Sequence, residues 1–291
     1  MKTLFVLLNL LRVKQWVKNT FIFFPLLFAE QFFSFGLLKN AALAFLSFCL
    51  ISSGLYILND LLDKEKDRLH PKKSKRPLAK KNINLKLIYP LILTLLLAGL
   101  AIAGRIDQGV AAIAFLFIVV HLIYNFYTKH IVLLDVFFIA IGFQLRIWAG
   151  ALACDVFPSV WLQMCVFILA LFLGFTKRRC EILILKEKAP EHRSVLSHYT
   201  AYMLDQMIII CSTLAVVFYG LYAISPEIMR RTGNQQMVYS VAFVIYGIFR
   251  YLYLVHVKKM GDEPGELLLS DWPLLICVLL WIGYVGLVIY G

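Results

Sequence analysis

The sequence predicts an all-α protein that crosses a membrane nine times. Of its 291 residues, 61% are hydrophobic, and the mean hydropathy is +0.80. Apolar runs of about 20 residues recur along the chain, which is the length that an α-helix needs to cross a bilayer core. Most of these runs are apolar on every side, whereas a surface helix of a soluble protein keeps one polar face. These observations predict a polytopic helical bundle without a soluble domain.

The expected spans follow one another through short connections, except at two places. In chain order the nine spans cover residues 17–38, 40–61, 85–104, 108–127, 132–153, 158–176, 202–224, 236–257 and 272–290. Two long charged connections, 62–84 and 177–201, follow the second and the sixth span. No linker or low-complexity segment interrupts the chain, so we expect a single domain over residues 1–291.

Lysine and arginine are distributed unevenly between the two sides of these spans. With the N-terminus placed in the cytoplasm, the inner segments hold 23 of the 29 basic residues. This is the positive-inside pattern, and it predicts a multi-pass protein of the bacterial inner (plasma) membrane with its N-terminus and active site cytoplasmic. Topology and anionic membrane lipids account for the net charge of +12, so no nucleic-acid partner is expected. The sequence leaves the oligomeric state open.

The segment NDLLDKEKDRLHPKKSKRPL, at the end of the second span, places one amide and three aspartates where an apolar helix leaves the membrane. A helix turns about 100° per residue, so Asn59, Asp60, Asp63 and Asp67 fall within one quarter-turn sector. Four oxygen donors on one stripe suit Mg²⁺, which keeps several waters and shares other ligands with substrate phosphates. A solvated helix end is the alternative, but carboxylates directly after an apolar run are costly unless paired or metal-bound. We predict a Mg²⁺ site for a diphosphate.

Basic residues near this cluster are candidates for holding the phosphates. Within residues 70–78, Arg76 is the best candidate because its planar guanidinium can bind two oxygens. A polybasic patch facing lipid is the alternative. In the run YNFYTKHIVLLD, Lys129 is expected to neutralise phosphate charge and Tyr124 to donate a hydrogen bond to it. A lysine at that place would also satisfy the topology rule alone.

Further cations lie within the fifth span and just after the sixth. Arg146 is placed mid-span, where a cation is costly, so we expect an anion-binding role, with a structural salt bridge as the alternative. The run FTKRRCE supplies Lys177, Arg178 and Glu181, of which the first and last share a helix face. A plain stop-transfer cluster would look similar. Its position four helices after the aspartate cluster favours a functional role.

These motifs resemble those of the UbiA superfamily of membrane prenyltransferases. The signature NDxxDxxxD stands at residues 59–67, and an HPxKxxRPL-like run follows at residues 70–78. The resemblance covers essentially the whole chain. It implies a UbiA-like bundle of nine helices with cytoplasmic cap loops, and Mg²⁺ as the cofactor.

The chain also departs from the superfamily's usual pattern. Typical members carry a second aspartate-rich motif after the sixth helix, where this sequence has KRRCE. Together with RVKQWVKN, which contains Lys14, and with LRIWAGALA and ELLLSD, this resembles the decaprenyl-phosphate phosphoribosyltransferase branch. That branch transfers 5-phosphoribose from phosphoribosyl pyrophosphate to a polyprenyl phosphate, for cell-envelope polysaccharide precursors.

The resemblance implies a role for each candidate residue. Asp60, Asp63 and Lys129 are expected to be catalytic, and the expected substrate-binding residues are Lys14, Arg76, Tyr124, Arg146, Lys177, Arg178 and Glu181. Additional cations would hold two anionic substrates together against their mutual repulsion. Two alternatives stay open: a prenyltransferase that acts on an aromatic acceptor, and a non-enzymatic lipid or ion transporter.

Overall fold

The computed structural model describes residues 8–69, 73–80, 85–185, 193–233, 235–258, 260 and 264–291. Within these residues, eight helices are long and apolar enough to cross a membrane. In chain order they are α1 (Phe35–Leu62), α2 (Leu85–Ile106), α3 (Gln108–Phe126), α4 (Leu134–Ala153), α5 (Val160–Leu185), α6 (Ala201–Ala223), α7 (Val241–His256) and α8 (Trp272–Tyr290). The 3₁₀ turn Gln236–Ser240 leads into α7. The predicted all-α polytopic bundle is confirmed.

The segment predicted as the first of nine spans, residues 17–38, differs from that expectation. It is divided between a 3₁₀ helix, Val13–Phe23, a short α-helix, Phe24–Phe28, and the start of α1. A 3₁₀ helix of this length is uncommon and needs tertiary support. We call residues 13–28 the N-terminal segment. Its 3₁₀ helix packs between α1 and α4. The described residues therefore contain eight regular spans and one irregular membrane-length segment.

Close packing against α4 explains why this segment is irregular. A Cβ atom added at Gly150 would lie 1.9 Å from the carbonyl oxygen of Ile22, so the two backbones touch at this point. Trp16 Nε1 donates to Ser53 Oγ of α1 at 3.1 Å. Asn19 is fully buried, and its Nδ2 donates to Cys49 Sγ of α1 at 3.2 Å. Contacts that are distant in sequence therefore determine the path of residues 13–28.

The helix α4 is shared by the two largest hydrophobic clusters. Val136 and Ile147 pack with side chains of α5, α6 and α7, whereas Leu145 and Ala149 pack with α1, α3 and the N-terminal segment. Within the most apolar stretch of each helix, 61% of the residues are buried in α4 and 22% in α8. The centre of the bundle therefore lies along α4.

Neighbouring spans run in opposite directions, and this brings the charged segments together. The helices α1, α3, α5 and α7 finish at one end of the bundle, where α2, α4, α6 and α8 begin. We call this the charged end. Thr200 and Asp271 cap α6 and α8 there by accepting hydrogen bonds from the backbone N–H groups of Met203 and Leu274. The acidic cluster, Lys129 and the KRRCE run therefore meet at one end.

Candidate active site

A cavity of about 230 Å³ opens at the charged end between α1, α3, α4, α5 and the N-terminal segment. Ten of the residues singled out from the sequence line it: Asn59, Asp63, Asp67, Arg76, Tyr124, Lys129, Arg146, Lys177, Arg178 and Glu181. Among the described residues, two other candidates are not part of the lining. Asp60 is buried beside the cavity, and Lys14 is exposed. Most of the site residues predicted from the sequence thus line a single cavity.

The predicted acidic stripe is present at the end of α1. The helix ends at Leu62, but Asp63 N–H still donates to the Asn59 carbonyl at 2.9 Å, and Asp67 N–H donates to the Asp63 carbonyl at 2.8 Å. The spacing of four residues therefore continues into the short helix Lys64–Leu69. As a result Asn59, Asp63 and Asp67 all face the cavity.

Asp60 points to a different set of partners. Arg12 donates to both of its carboxylate oxygens, and Arg76 Nη1 donates to Oδ1 at 3.0 Å. The same Arg76 nitrogen lies 2.6 Å from Asp67 Oδ2. Arg76 therefore bridges Asp60 to the stripe, and Asp60 orients two guanidinium groups at the edge of the cavity.

Lys129 joins the stripe from the opposite wall. It lies in the 3₁₀ turn Thr128–His130 between α3 and α4, and only 6% of its surface is exposed. Its Nζ donates to Asp63 Oδ1 at 2.8 Å. Lys129 therefore places an ammonium group directly beside Asp63 at the edge of the stripe.

The oxygen donors of the stripe suit a Mg²⁺ ion better than they suit an all-protein metal site. In the part of the chain that the structure describes, no three His, Cys, Asp or Glu side chains are grouped as an all-protein metal site. Asn59, Asp63 and Asp67 nevertheless bring amide and carboxylate oxygens to one wall of the cavity. Mg²⁺ commonly takes one or two carboxylates and completes its shell with water and substrate phosphates. These residues therefore fit a Mg²⁺ that shares its ligands with a substrate.

The KRRCE run contributes a buried ion network. Arg178 donates through Nε to Asp135 Oδ2 at 2.6 Å and through Nη1 to Glu181 Oε2 at 2.7 Å. Tyr199 donates to the other oxygen of Asp135 at 2.7 Å. Burial of its hydroxyl, together with the neighbouring Asp135 carboxylate, raises the pKa of Tyr199. Two carboxylates therefore offset the charge of Arg178, although it lines the cavity.

Arg193 is a site residue that the sequence interpretation missed. It follows the connection after α5, donates to the hydroxyl of Tyr124, and lies 4.0 Å from Glu181 Oε2. Arg12 and, from the N-terminal segment, Lys18 also line the cavity. The recurring basic residues of the RVKQWVKN run could have indicated that Arg12 and Lys18 belong to the site. Residues 70–72 of the predicted basic run lie outside the described residues.

The charge of the cavity is strongly positive. Its described lining contains nine Lys and Arg side chains (Arg12, Lys18, Lys66, Arg76, Lys129, Arg146, Lys177, Arg178 and Arg193) against three carboxylates (Asp63, Asp67 and Glu181), an excess of six positive charges. Asp60 and Asp135, which lie behind the lining, reduce this excess without removing it. A concave site with this balance attracts polyanions.

Comparison with known proteins agrees with the fold and the motifs. The model of the UbiA prenyltransferase family matches residues 20–178, more than half of the chain. This protein is a member of the UbiA family. It is therefore a membrane transferase of the UbiA superfamily.

Individual relatives of this UbiA family member cover nearly its whole length. The decaprenyl-phosphate phosphoribosyltransferase of Mycolicibacterium smegmatis is 31% identical over 98% of the chain and 92% of the relative. The protein of the same name from Corynebacterium glutamicum is 28% identical over 98% of the chain and 86% of the relative. A UbiA homologue from Archaeoglobus fulgidus, solved with GPP and Mg²⁺, superimposes with a TM-score of 0.73 at 19% identity, covering 98% and 99% of the two chains. This last likeness shows the UbiA fold.

Proposed function

We propose that this protein transfers 5-phosphoribose from phosphoribosyl pyrophosphate to a polyprenyl phosphate within the membrane. The observation that carries the proposal is the excess of positive charge in the cavity. A single diphosphate bound with Mg²⁺ would leave much of this charge unbalanced, whereas two phosphorylated substrates would balance it. The full-length similarity to two decaprenyl-phosphate phosphoribosyltransferases supports the same reaction.

The residues at the acidic stripe are proposed to bind the diphosphate of the donor. Asn59, Asp63 and Asp67 would hold Mg²⁺, and Asp60, predicted as a further ligand, would hold Arg12 and Arg76 in place. When bound, Mg²⁺ neutralises charge on the departing diphosphate. Lys129 and Arg76 lie beside the stripe and would bind the oxygens of the leaving group.

The transfer itself needs little from the protein beyond positioning and charge. A phosphate oxygen of the polyprenyl phosphate attacks C1 of the ribose as the bond from C1 to the diphosphate breaks, with inversion at C1. The acceptor is already an anion, so no general base is required. Holding both anions in one cavity lined by cations would lower the barrier by proximity and by electrostatic stabilisation. Phe138, Ile139 and Leu173 line the apolar side of the cavity, where the first lipid units would lie.

The clusters at the charged end are also proposed to define the orientation in the membrane. The cavity opens at the end of the bundle that carries the two long basic connections. By the positive-inside rule this end would face the cytoplasm, where a soluble sugar diphosphate is supplied. Polyprenyl phosphate would enter from the surrounding bilayer.

Prenyl transfer to an aromatic acceptor is the competing function. It is the activity expected of typical superfamily members, and it would consume a prenyl diphosphate. The described wall formed by α5 carries Lys177 and Arg178 where that reaction would be expected to use a second acidic motif. This observation favours the phosphoribosyl donor.

The deciding experiment uses purified protein in detergent with Mg²⁺, decaprenyl or undecaprenyl phosphate, and radiolabelled phosphoribosyl pyrophosphate. We expect label to enter the organic phase, and chelation of Mg²⁺ with EDTA to abolish this transfer. Parallel reactions receive geranyl diphosphate and an aromatic acid. Prenylation of the acid without any lipid-linked phosphoribose would replace the proposed function with the competing one.

A further inference from the structure

Apart from Lys177 and the exposed Lys66, the cations of the cavity divide into two groups by their partners. Arg12, Arg76, Lys129 and Arg178 each form an ion pair with a carboxylate. Arg193 lies 4.0 Å from Glu181. Arg146 and Lys18 differ, because neither has a carboxylate partner among the described residues. The charges of these two residues are therefore not compensated by that part of the protein.

In the described part of the chain, the groups that hold Arg146 in place are all neutral. Its Nε donates to Asn19 Oδ1 at 2.7 Å, and its Nη1 donates to the Gly142 carbonyl at 2.7 Å. The guanidinium also lies over the ring of Phe117, 4.6 Å from the centroid, and 5.3 Å from that of Phe143. These contacts orient the group without neutralising its charge. Among the described residues, its Nη2 has no hydrogen-bond acceptor.

Burial makes this uncompensated charge costly. Only 3% of Arg146 is exposed, and the residue lies within a membrane span. A buried cation of this kind is normally paired or faces a cavity that serves a ligand. Arg146 lines the cavity, so an anion bound there would supply the missing negative charge.

The space beside Arg146 is kept open by a glycine. A Cβ atom at Gly142 would lie 3.0 Å from His121 Cε1 and 3.5 Å from Arg146 Nη1, so the glycine allows both side chains to approach the same point. The Nδ1 of His121 donates to the Phe117 carbonyl at 3.0 Å. Lys18 directly precedes Asn19, which binds Arg146, and both cations line the cavity. The two cations therefore approach one pocket from α4 and from the N-terminal segment.

This pocket is separate from the acidic stripe. Asn19, which binds Arg146, also donates to Cys49, and Cys49 lies ten residues before Asn59 on α1. Ten residues of α-helix correspond to about 15 Å along the axis. One phosphate group cannot contact both levels, whereas a substrate pair with phosphates at different depths can.

We propose that Arg146 and Lys18 form a second anion subsite that binds a phosphomonoester, deeper in the cavity than the diphosphate. The inference rests on the proposed function and deepens it. The ligand is a phosphate that stays on its carbon or lipid during the reaction: the 5-phosphate of the donor or the phosphate of the acceptor. Arg178, whose charge is already offset, positions α4 against α5 and is not the principal ligand for this group.

Binding of monophosphates tests the subsite without requiring turnover. Thermal unfolding of the purified protein is measured with ribose 5-phosphate and, separately, with geranyl phosphate. We expect at least one probe to stabilise the wild-type protein, and Arg146→Gln to weaken that probe's affinity roughly 30-fold, since a charge-assisted hydrogen bond is lost. Arg146→Lys should recover part of the affinity. Arg105→Gln, at an exposed position at the opposite end of α2, is the matched control and should bind like the wild type.

The source of the phosphate is identified by the probe that no longer stabilises the Arg146→Gln variant. If Arg146→Gln weakens binding of ribose 5-phosphate alone, the subsite binds the 5-phosphate of the donor. If it weakens binding of geranyl phosphate alone, the subsite binds the phosphate of the lipid acceptor. In turnover assays, the first case predicts that Arg146→Gln removes the preference for phosphoribosyl pyrophosphate over ribose 1-diphosphate. The second case predicts a raised KM for polyprenyl phosphate with that preference intact.

Two results would overturn the subsite. One is stabilisation of wild type and Arg146→Gln by the same extent with both probes, and the other is the absence of stabilisation of the wild type by either probe. Lys18→Met provides a second test if Arg146→Gln does not fold, because Lys18 is partly exposed and removing its charge should weaken binding of the same probe. Failure of the proposed function is distinguishable: phosphoribosyl transfer would be absent while the wild-type protein still bound the monophosphate through Arg146.

Discussion

Arg178 and Asp135 form a buried ion pair at the charged end of the bundle, with 2.6 Å between Nε and Oδ2. Both side chains are almost fully buried, at 1% and 0% exposed. The pair joins the start of α4 to the end of α5, and Tyr199 attaches the segment before α6 to the same carboxylate. The KRRCE run, predicted from the sequence to bind substrate, thus also holds three helices together at the charged end.

Replacing Asp135 with asparagine should destabilise the protein strongly. Among the described residues, Arg178 would keep only Glu181 as a carboxylate partner, and removing one member of a buried ion pair costs about 3 kcal/mol. The measurement is thermal unfolding in detergent. Asp155→Asn, at an exposed position near the opposite end of α4, is the control and should unfold like the wild type. Equal stability of the two variants would contradict a structural role for the pair.

Replacing Asp63 with alanine should reduce turnover at least about 100-fold, since it removes an electrostatic group expected at the reacting diphosphate. Asp63 is partly exposed, with 26% of its side chain accessible, so the fold should persist. Phosphoribosyl transfer and thermal unfolding are measured together. Glu65→Ala, two residues away and 75% exposed, is the matched control and should retain turnover. Near-normal turnover of Asp63→Ala would refute the role of the acidic stripe.

Replacing Gly150 with alanine should displace the N-terminal segment. The new Cβ would lie 1.9 Å from the Ile22 carbonyl oxygen, so the backbones must separate, and such overpacking costs about 1–3 kcal/mol. Activity should fall as well, because the same segment carries Lys18 and the Asn19 that orients Arg146. Thermal unfolding and turnover are compared with those of Gly220→Ala, where the added Cβ meets nothing within 4 Å. A stable and active Gly150→Ala variant would show that the segment is not locked against α4.

Replacing Tyr199 with phenylalanine should lower stability at neutral pH by about 2 kcal/mol, because the hydroxyl bonds to a buried carboxylate and accepts from the Leu133 N–H. The pKa of Tyr199 is raised by burial and by Asp135, so the unfolded state ionises first as the pH rises. The stabilisation from this tyrosine is therefore complete below the unfolded pKa of about 10 and declines above it. Unfolding temperatures of wild type and variant should converge above pH 10. A difference that stays constant with pH would argue against the raised pKa.

Much of this architecture is predictable from residue spacing alone. Apolar length predicts the spans, and a four-residue spacing predicts that Asn59, Asp63 and Asp67 share a face, because helix geometry is local and regular. Alternation of span direction also predicts that Lys129 and the KRRCE run reach the end of the bundle where Asp63 lies. These inferences need no knowledge of which helices are neighbours.

The sequence by itself determined the class of fold, the acidic stripe and the excess of cations at one end. Only the tertiary structure decided which cation meets which carboxylate, because ion pairs depend on distances between segments that are far apart in the chain. Contact with Gly150 fixes the irregular path of residues 13–28. The packing of distant segments also places Arg12 and Arg193 in the lining of the cavity. It also gave Arg178 two carboxylate partners while leaving Arg146 with neutral ones. Two arginines that were both predicted from the sequence to bind substrate thus have different partners in the folded protein.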